Sequence, residues 1–259
     1  MPVIESEGCA LHVEVEGPAD APAVVFSNSL GADLTMWDPQ VAAFTRLFRV
    51  VRYDRRGHGR SGVTPGPYTI AQLGRDALAI LDGLNLAKAH WVGLSMGGMV
   101  GQWLGANAPD RLGKLVLANT SSWFPDKQPW NDRIATIRAG GLEAIVDKVM
   151  SIWFTDDFRE RDPEAVAKVR TAFLATPLDG YIACGEAVRD MDQRDLLDKI
   201  AVPTLIIAGR YDASTPIEAA EFIRRHVSGA QLTILEAAHV SNIEQAVDFN
   251  TEVLGFLTS

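Results

Sequence analysis

Cysteine is scarce: Cys9 and Cys184 are the only two in 259 residues. They lie far apart, fit neither metal-ligand spacing nor a disulfide framework, and have no motif around them, so each reads as a small buried hydrophobe. Long apolar runs are missing too, and no stretch approaches the roughly 20 residues of a membrane span. The opening Met1-Pro2-Val3-Ile4-Glu5 is neither basic nor followed by an apolar core, so no secretory signal is expected and a cytoplasmic location is the simplest reading. Positive charge is in the minority: 24 Lys and Arg against 33 Asp and Glu leave a net −9, with no basic run or stripe. Nucleic acid is therefore an unexpected partner, and a membrane likewise. Repeats and low-complexity tracts are absent. What is present is an ordinary globular composition, 47% hydrophobic and 22% charged, long enough to bury a sizeable core. Oligomeric state leaves no readable trace.

Short apolar runs alternate with helical patterns along much of the chain. Residues 3–16, broken by Glu7-Gly8, read as an antiparallel hairpin. Ala23–Asn28, Arg49–Asp54, His90–Leu94 and Lys114–Asn119 read as strands. Ile70–Leu84 and Met99–Ala108 read as helices between them, with a weaker one starting at Trp37. This alternation predicts an α/β fold, a mostly parallel central sheet with helices on both faces. From Ser121 to about Ile200 the pattern turns helical with no convincing strand. After Pro203 it resumes with strand Thr204–Ala208, helix Pro216–Val227, strand Gln231–Leu235 and helix Ile243–Leu257. We therefore expect a core of residues 1–120 and 201–259, and a helical cap of residues 121–200 inserted over the sheet's carboxyl edge, where open α/β folds bind ligands.

The most informative stretch is Val92-Gly93-Leu94-Ser95-Met96-Gly97-Gly98. A serine between two glycines at a strand-to-helix corner sits in a strained turn that lifts its hydroxyl clear of the sheet. Ser95 is the candidate nucleophile. The Met96 N–H and the helix start behind it face any negative charge forming there. An ordinary serine in a glycine-flanked turn is the bland alternative, and the strand-before, helix-after context argues against it.

A serine hydroxyl needs a base, and the base needs an orienting group. Of five histidines, His12, His90 and His226 are more simply surface or core residues, and nothing marks His58 as a base. His239 follows the last strand, in a loop at the edge that carries Ser95, and is the candidate base. Asp212 directly follows strand Thr204–Ala208 and is the candidate acid; a turn carboxylate ahead of Pro216 is the competing reading. The end of the strand before the insertion holds Asn119, which supplies no charge. A tetrahedral intermediate needs two donors. Met96 N–H is one, and the other is expected within Ser27–Gly31, with Leu30 the choice by register; Asn28 and Ser29 compete as turn formers.

These pieces resemble the α/β-hydrolase superfamily: Ser27–Gly31 with Trp37 downstream, Tyr53-Asp54-Arg55-Arg56-Gly57-His58-Gly59-Arg60-Ser61, the elbow at Ser95, Gly209–Asp212 and His239. Serine at the elbow argues against haloalkane dehalogenases and epoxide hydrolases, which have aspartate there. Within the superfamily the chain is most similar to 3-oxoadipate enol-lactonases. The stretches behind this are Asn28–Trp37, Gly93–Asn107, Trp130-Asn131-Asp132-Arg133-Ile134 and Ala238–Glu244. The resemblance implies an α/β-hydrolase fold with a helical cap, and a serine hydrolase opening a small lactone without metal or organic cofactor. Such a lactone bears a carboxylate, for which the cap offers Arg133 and Arg138 beside Trp130; Trp130, Arg133 and Trp153 are the candidate substrate contacts. Another carboxylesterase or a carbon–carbon bond hydrolase shares the triad and differs in the cap. A ligand receptor with a retained triad is the reading from another class.

Overall fold

The computed structural model describes residues 3–259. Eight strands form one sheet: β1 (Val3–Ser6), β2 (Cys9–Glu16), β3 (Ala23–Ser27), β4 (Arg49–Tyr53), β5 (Ala89–Leu94), β6 (Leu112–Ala118), β7 (Thr204–Gly209) and β8 (Gln231–Leu235). Their order is β1-β2-β4-β3-β5-β6-β7-β8. The β1/β2 and β2/β4 pairs are antiparallel and all others parallel. Glu7 and Gly8, at φ 43° and 75°, make the left-handed turn that closes the first hairpin. The central parallel strands are buried on both faces, every residue of β3 and of β7 included, which is why they read as unbroken apolar runs.

The helices are α1 (Asp38–Phe44), α2 (Ile70–Gly83), α3 (Met96–Asn107), α4 (Gln128–Gly140), α5 (Val146–Trp153), α6 (Asp156–Arg161), α7 (Pro163–Leu174), α8 (Leu178–Asp190), α9 (Ile217–His226), α10 (Ser241–Glu244) and α11 (Ala246–Thr258). The connection from β3 to β4 runs one way across the sheet, and those from β4 to β5 and β5 to β6 run the other way. Right-handed crossovers therefore put α1 on one face and α2 and α3 on the other. Contacts agree: α2 packs on α3, while α1 packs on α11. Under α1 and α11, Phe26 meets Trp37 at 4.8 Å and Phe44 edge-on at 5.1 Å between ring centroids, so aromatic rings fill that layer.

The sheet order reverses at β3, whose neighbours are β4 and β5. That is the switch point where an open α/β sheet leaves a crevice at its carboxyl edge. Between β6 and β7 the chain forms α4 to α8 and two 3-10 turns (Leu142–Ala144 and Arg194–Lys199), with a single isolated bridge, Trp123 to Asp192, and no strand among them.

Most boundaries agree with expectation to within two residues, and three places differ in a way that matters. Helix α3 begins at Met96 rather than Met99, because the turn at Ser95 leads straight into it. The Trp37 region is a 3-10 turn, Leu34–Trp37, followed by α1. The last helix is split at Gln245, which leaves helical geometry at φ −124°, ψ 51°. Its neighbour Glu244 is pinned, accepting hydrogen bonds from Ala238 N–H and Thr155 Oγ1.

The tightest packing lies where α3 meets β3 and β5. A Cβ at Gly93 would come within 2.1 Å of Gly97 O, and one at Gly97 within 2.0 Å of Ser27 O. Both contacts are with backbone, which has little room to move. Gly97→Ala is expected to destabilise the fold by about 3 kcal/mol or more. Gly255→Ala, in a helix with open space around it, should instead stabilise by about 0.5–1 kcal/mol. Urea unfolding of both variants checks the contrast; equal effects would contradict the packing account.

Candidate active site

Ser95 stands between β5 and α3 at φ 56°, ψ −116°, a region that L residues rarely occupy. Such strain persists only where the surroundings enforce it. Here Ser95 N–H donates to Ala118 O at 2.8 Å, Thr120 Oγ1 donates to Ser95 O at 2.7 Å, and Gly97 N–H donates to Asn28 O at 3.0 Å. The three bonds fix the corner from both neighbouring strand ends. Ser95 Oγ is left without a hydrogen bond among the described residues and faces a cavity of about 340 Å³.

Leu30, Met96, Trp130, Arg133, Trp153 and His239 line the same cavity with Ser95. Asp212 stands behind His239, and its Oδ2 accepts from His239 Nδ1 at 2.8 Å. A carboxylate only accepts, so Nδ1 carries the proton and Nε2 is the basic nitrogen. Asp212 Oδ2 also accepts from Thr215 Oγ1 (2.7 Å) and Asn119 Nδ2 (3.1 Å), and Oδ1 from the Ser214 and Thr215 amides. Burial alone would push this carboxyl up. The charge of His239 and the bonds from His239, Thr215 and Asn119 outweigh it and hold the carboxyl below its ordinary value. The Trp153 ring lies 6.3 Å from the His239 ring, tilted by 36°.

Along the loop after β3 some donors are tied into the structure and others are free. Asn28 is held by its side chain, which accepts from Trp37 Nε1 and donates to Tyr53 O, and by its carbonyl, which accepts from Gly97 N–H and Arg55. Ser29 N–H points to Met36 Sδ at 3.3 Å, and Gly31 N–H donates to His58 Nε2 at 2.9 Å. Leu30 N–H and Met96 N–H find no acceptor among the described residues, and both residues face the cavity. Ser29 also lines it, with a buried hydroxyl that has no partner.

Burial, then the charge of Arg55, push His58 down to about 3, so it stays neutral and serves as an acceptor for the loop. Burial pushes Cys184 up to about 12, and both cysteines are free and buried, so neither is a ready nucleophile. Among the described residues no cluster of His, Cys, Asp and Glu has metal-binding geometry, and no helix is long and apolar enough to cross a membrane.

Arg133 lies over the Trp130 ring at 5.3 Å and the Tyr181 ring at 5.5 Å, and bonds Tyr181 Oη. It forms no ion pair among the described residues, and its buried Nε has no partner. Arg138 behaves otherwise. It pairs with Glu186 at 3.1 Å on an exposed face and lines a different groove, because five residues along a helix turn its side chain away from the Arg133 direction. Asp126 is the one carboxylate on the cavity wall, exposed and accepting from Gln128 N–H.

The sequence marks the position of Asn119 as a strand end without charge, but not the role it takes. At φ 45°, it donates Nδ2 to Asp212 and to Ala238 O, while Ser241 Oγ donates to its Oδ1. One amide thus ties the ends of β6, β7 and β8 together, and nothing in sequence spacing marks such a bridge.

The family model for the alpha/beta hydrolase fold matches residues 22–246, and the chain belongs to that family. Within it, the chain is 40% identical to 3-oxoadipate enol-lactonase 2 of Acinetobacter baylyi, over 96% of this chain and 94% of that one. It is also 40% identical to 3-oxoadipate enol-lactonase 1 of the same organism, over 99% and 96%. The crystal structure of the enol-lactonase from Burkholderia xenovorans LB400 superposes with a TM-score of 0.98 at 41% identity, covering 100% of both chains.

In Asn119→Asp, a donor about 3.1 Å from Asp212 Oδ2 becomes a second carboxylate, and two buried carboxylates cannot both ionise cheaply. The wild-type carboxyl, held low, contributes stability that is present above the unfolded-state value and is lost as pH falls through the folded one. The variant pair titrates high instead, so it is penalised at neutral pH and relieved in acid. Urea unfolding should show a deficit of about 2–4 kcal/mol at pH 7 that narrows by pH 4; a deficit independent of pH contradicts this.

Proposed function

We propose that this chain is a serine hydrolase that opens 3-oxoadipate enol-lactone to 3-oxoadipate through an acyl-enzyme, a step in aromatic-acid catabolism. One observation carries the reading: a strained Ser95 and an Asp212-oriented His239 share a small cavity whose wall also holds Arg133, an arginine without an ion-pair partner among the described residues. The similarity to enol-lactonases over nearly the whole chain supports the substrate.

In this reading Ser95 Oγ attacks the lactone carbonyl carbon while His239 Nε2 takes the hydroxyl proton. Asp212 holds the tautomer and stabilises the imidazolium. Leu30 N–H and Met96 N–H, the unspent donors beside Ser95, hold the oxyanion. Collapse of the tetrahedral species breaks the ring C–O bond, and the departing enol oxygen receives the proton from His239. The enol ends as the ketone, and the chain stays attached to Ser95 as an ester. His239 then removes a proton from water, whose oxygen attacks that ester; the acid leaves and Ser95 regains its proton.

Residues 121–200 act as the cap that closes this site, a role supported by Trp130, Arg133 and Trp153 all reaching the cavity from it. The guanidinium of Arg133 suits the free carboxylate of the lactone. Its seat on two rings keeps it in place when no anion is bound. Trp130 walls the ring, and Trp153 limits the space beside His239.

Ser95→Ala should lose on the order of a millionfold in kcat, the scale seen when a serine-protease nucleophile is removed. Arg133→Met separates substrate classes. Its KM for the enol-lactone should rise roughly 10- to 100-fold, as for loss of a charge-assisted pair, while its KM for neutral p-nitrophenyl acetate stays the same. Steady-state kinetics on both substrates reads this. If the wild type cleaves p-nitrophenyl acetate but leaves the lactone intact, the substrate reading fails.

A further inference from the structure

Arg55 is the least explained charge in the molecule. Its side chain is buried at 2% exposure, and Nε and Nη1 have no hydrogen-bond partner. It forms no ion pair among the described residues. Asp54, its neighbour in sequence, spends its oxygens on the Leu34 and Arg60 amides. The groups that bear on Arg55 electrostatically are the Tyr53 hydroxyl and the Cys184 thiol, both pushed up by burial and neutral at physiological pH. A buried cation without a counter-charge is unfavourable for the fold, and burial accordingly lowers the affinity of Arg55 for its proton. Yet guanidinium resists deprotonation, so the charge remains.

Its one bond shows where the charge acts. Nη2 donates to Asn28 O, the same carbonyl that accepts Gly97 N–H at 3.0 Å. Asn28 begins the loop that carries Leu30, and Gly97 follows Met96 at the start of α3. The Asn28 carbonyl is therefore the joint between the two arms of the oxyanion site, and Arg55 grips that joint. Backbone dimensions keep its guanidinium within about 10 Å of both free amides. His58, kept neutral beside Arg55, holds the far end of the loop through Gly31 N–H.

We propose that Arg55 is an electrostatic positioning residue of the oxyanion site: an uncompensated buried cation whose counter-charge is the oxyanion formed at Ser95. The inference rests on the serine-hydrolase reading above, not on the identity of the lactone. A unit charge about 10 Å away in a protein interior changes a barrier by a factor of roughly 10 to 20, and more at shorter range. The ground-state ester is neutral at the reacting oxygen, so the effect belongs to kcat rather than KM.

The test uses Arg55→Met and Arg55→Lys, assayed on p-nitrophenyl acetate and on the enol-lactone. Phenylboronic acid, which adds to a serine oxygen as a tetrahedral anion, serves as inhibitor. Arg55→Met should lose roughly 10- to 100-fold in kcat on both substrates, with KM within threefold. Its boronic acid Ki should weaken by a similar factor. Because an unpaired buried cation is being replaced by an apolar side chain, its Tm should equal or exceed that of the wild type. Arg55→Lys, which keeps the charge, should stay within fivefold of wild-type kcat. The proposal is overturned if Arg55→Met keeps kcat within twofold. It is equally overturned if Arg55→Met and Arg55→Lys lose Tm and kcat together, which would make Arg55 a structural support. Should the lactone prove inert, the aryl ester and the boronic acid still decide the role of Arg55, and only the substrate reading falls.

Discussion

The site depends on one close approach, that of the first turn of α3 to the end of β3. Gly97 packs its α-carbon against the Ser27 carbonyl with no room for a methyl group, and its N–H bonds Asn28 O. That contact sets how far Ser95 is lifted, forces its φ to 56°, and brings the loop after β3 beside the helix start. A slightly larger gap would relax the turn and separate Leu30 from Met96. The glycines at 93 and 97 are thus steric necessities of the geometry, and the strain at Ser95 is offset by the backbone bonds that surround it.

Much of the arrangement is legible in sequence because the candidate residues sit at strand ends. Once β5, β7 and β8 are recognised as apolar runs, Ser95, Asp212 and His239 must share one edge of the sheet, since parallel strands bring their carboxyl ends together. The cap residues Trp130, Arg133 and Trp153 reach the cavity as expected, whereas Arg138 does not. Which side of α4 faces the core depends on tertiary packing, and its weakly amphipathic pattern gives little guidance. Asn119 and Arg55 escaped for another reason: their bonds reach Asp212, 93 residues away, and the Asn28 carbonyl, 27 residues away. Spacing carries no record of such bonds.

Charge is distributed against the overall balance. The chain is acidic, at −9, yet the cavity region gathers positive potential from the α3 N-terminus, from Arg133 on its aromatic seat and from buried Arg55. In the proposed reading Arg133 meets charge that the ligand brings, and Arg55 meets charge that the reaction creates. Donors around Asp212 and the charge of His239 hold its carboxyl below the ordinary value, so in the proposed mechanism the imidazolium formed during attack has a fixed partner. Elsewhere, exposed pairs such as Arg194 with Asp192 and Arg210 with Glu236 lie in solvent and add little to stability.

Trapping the covalent intermediate tests the central claim most directly. Wild-type protein mixed with fresh enol-lactone, quenched in acid within milliseconds and digested, is examined by mass spectrometry. The account predicts a transient adduct of one lactone mass on the peptide containing Ser95, and none in Ser95→Ala. Turnover of the lactone with no adduct on Ser95 at any time, together with activity that survives in Ser95→Ala, would contradict it.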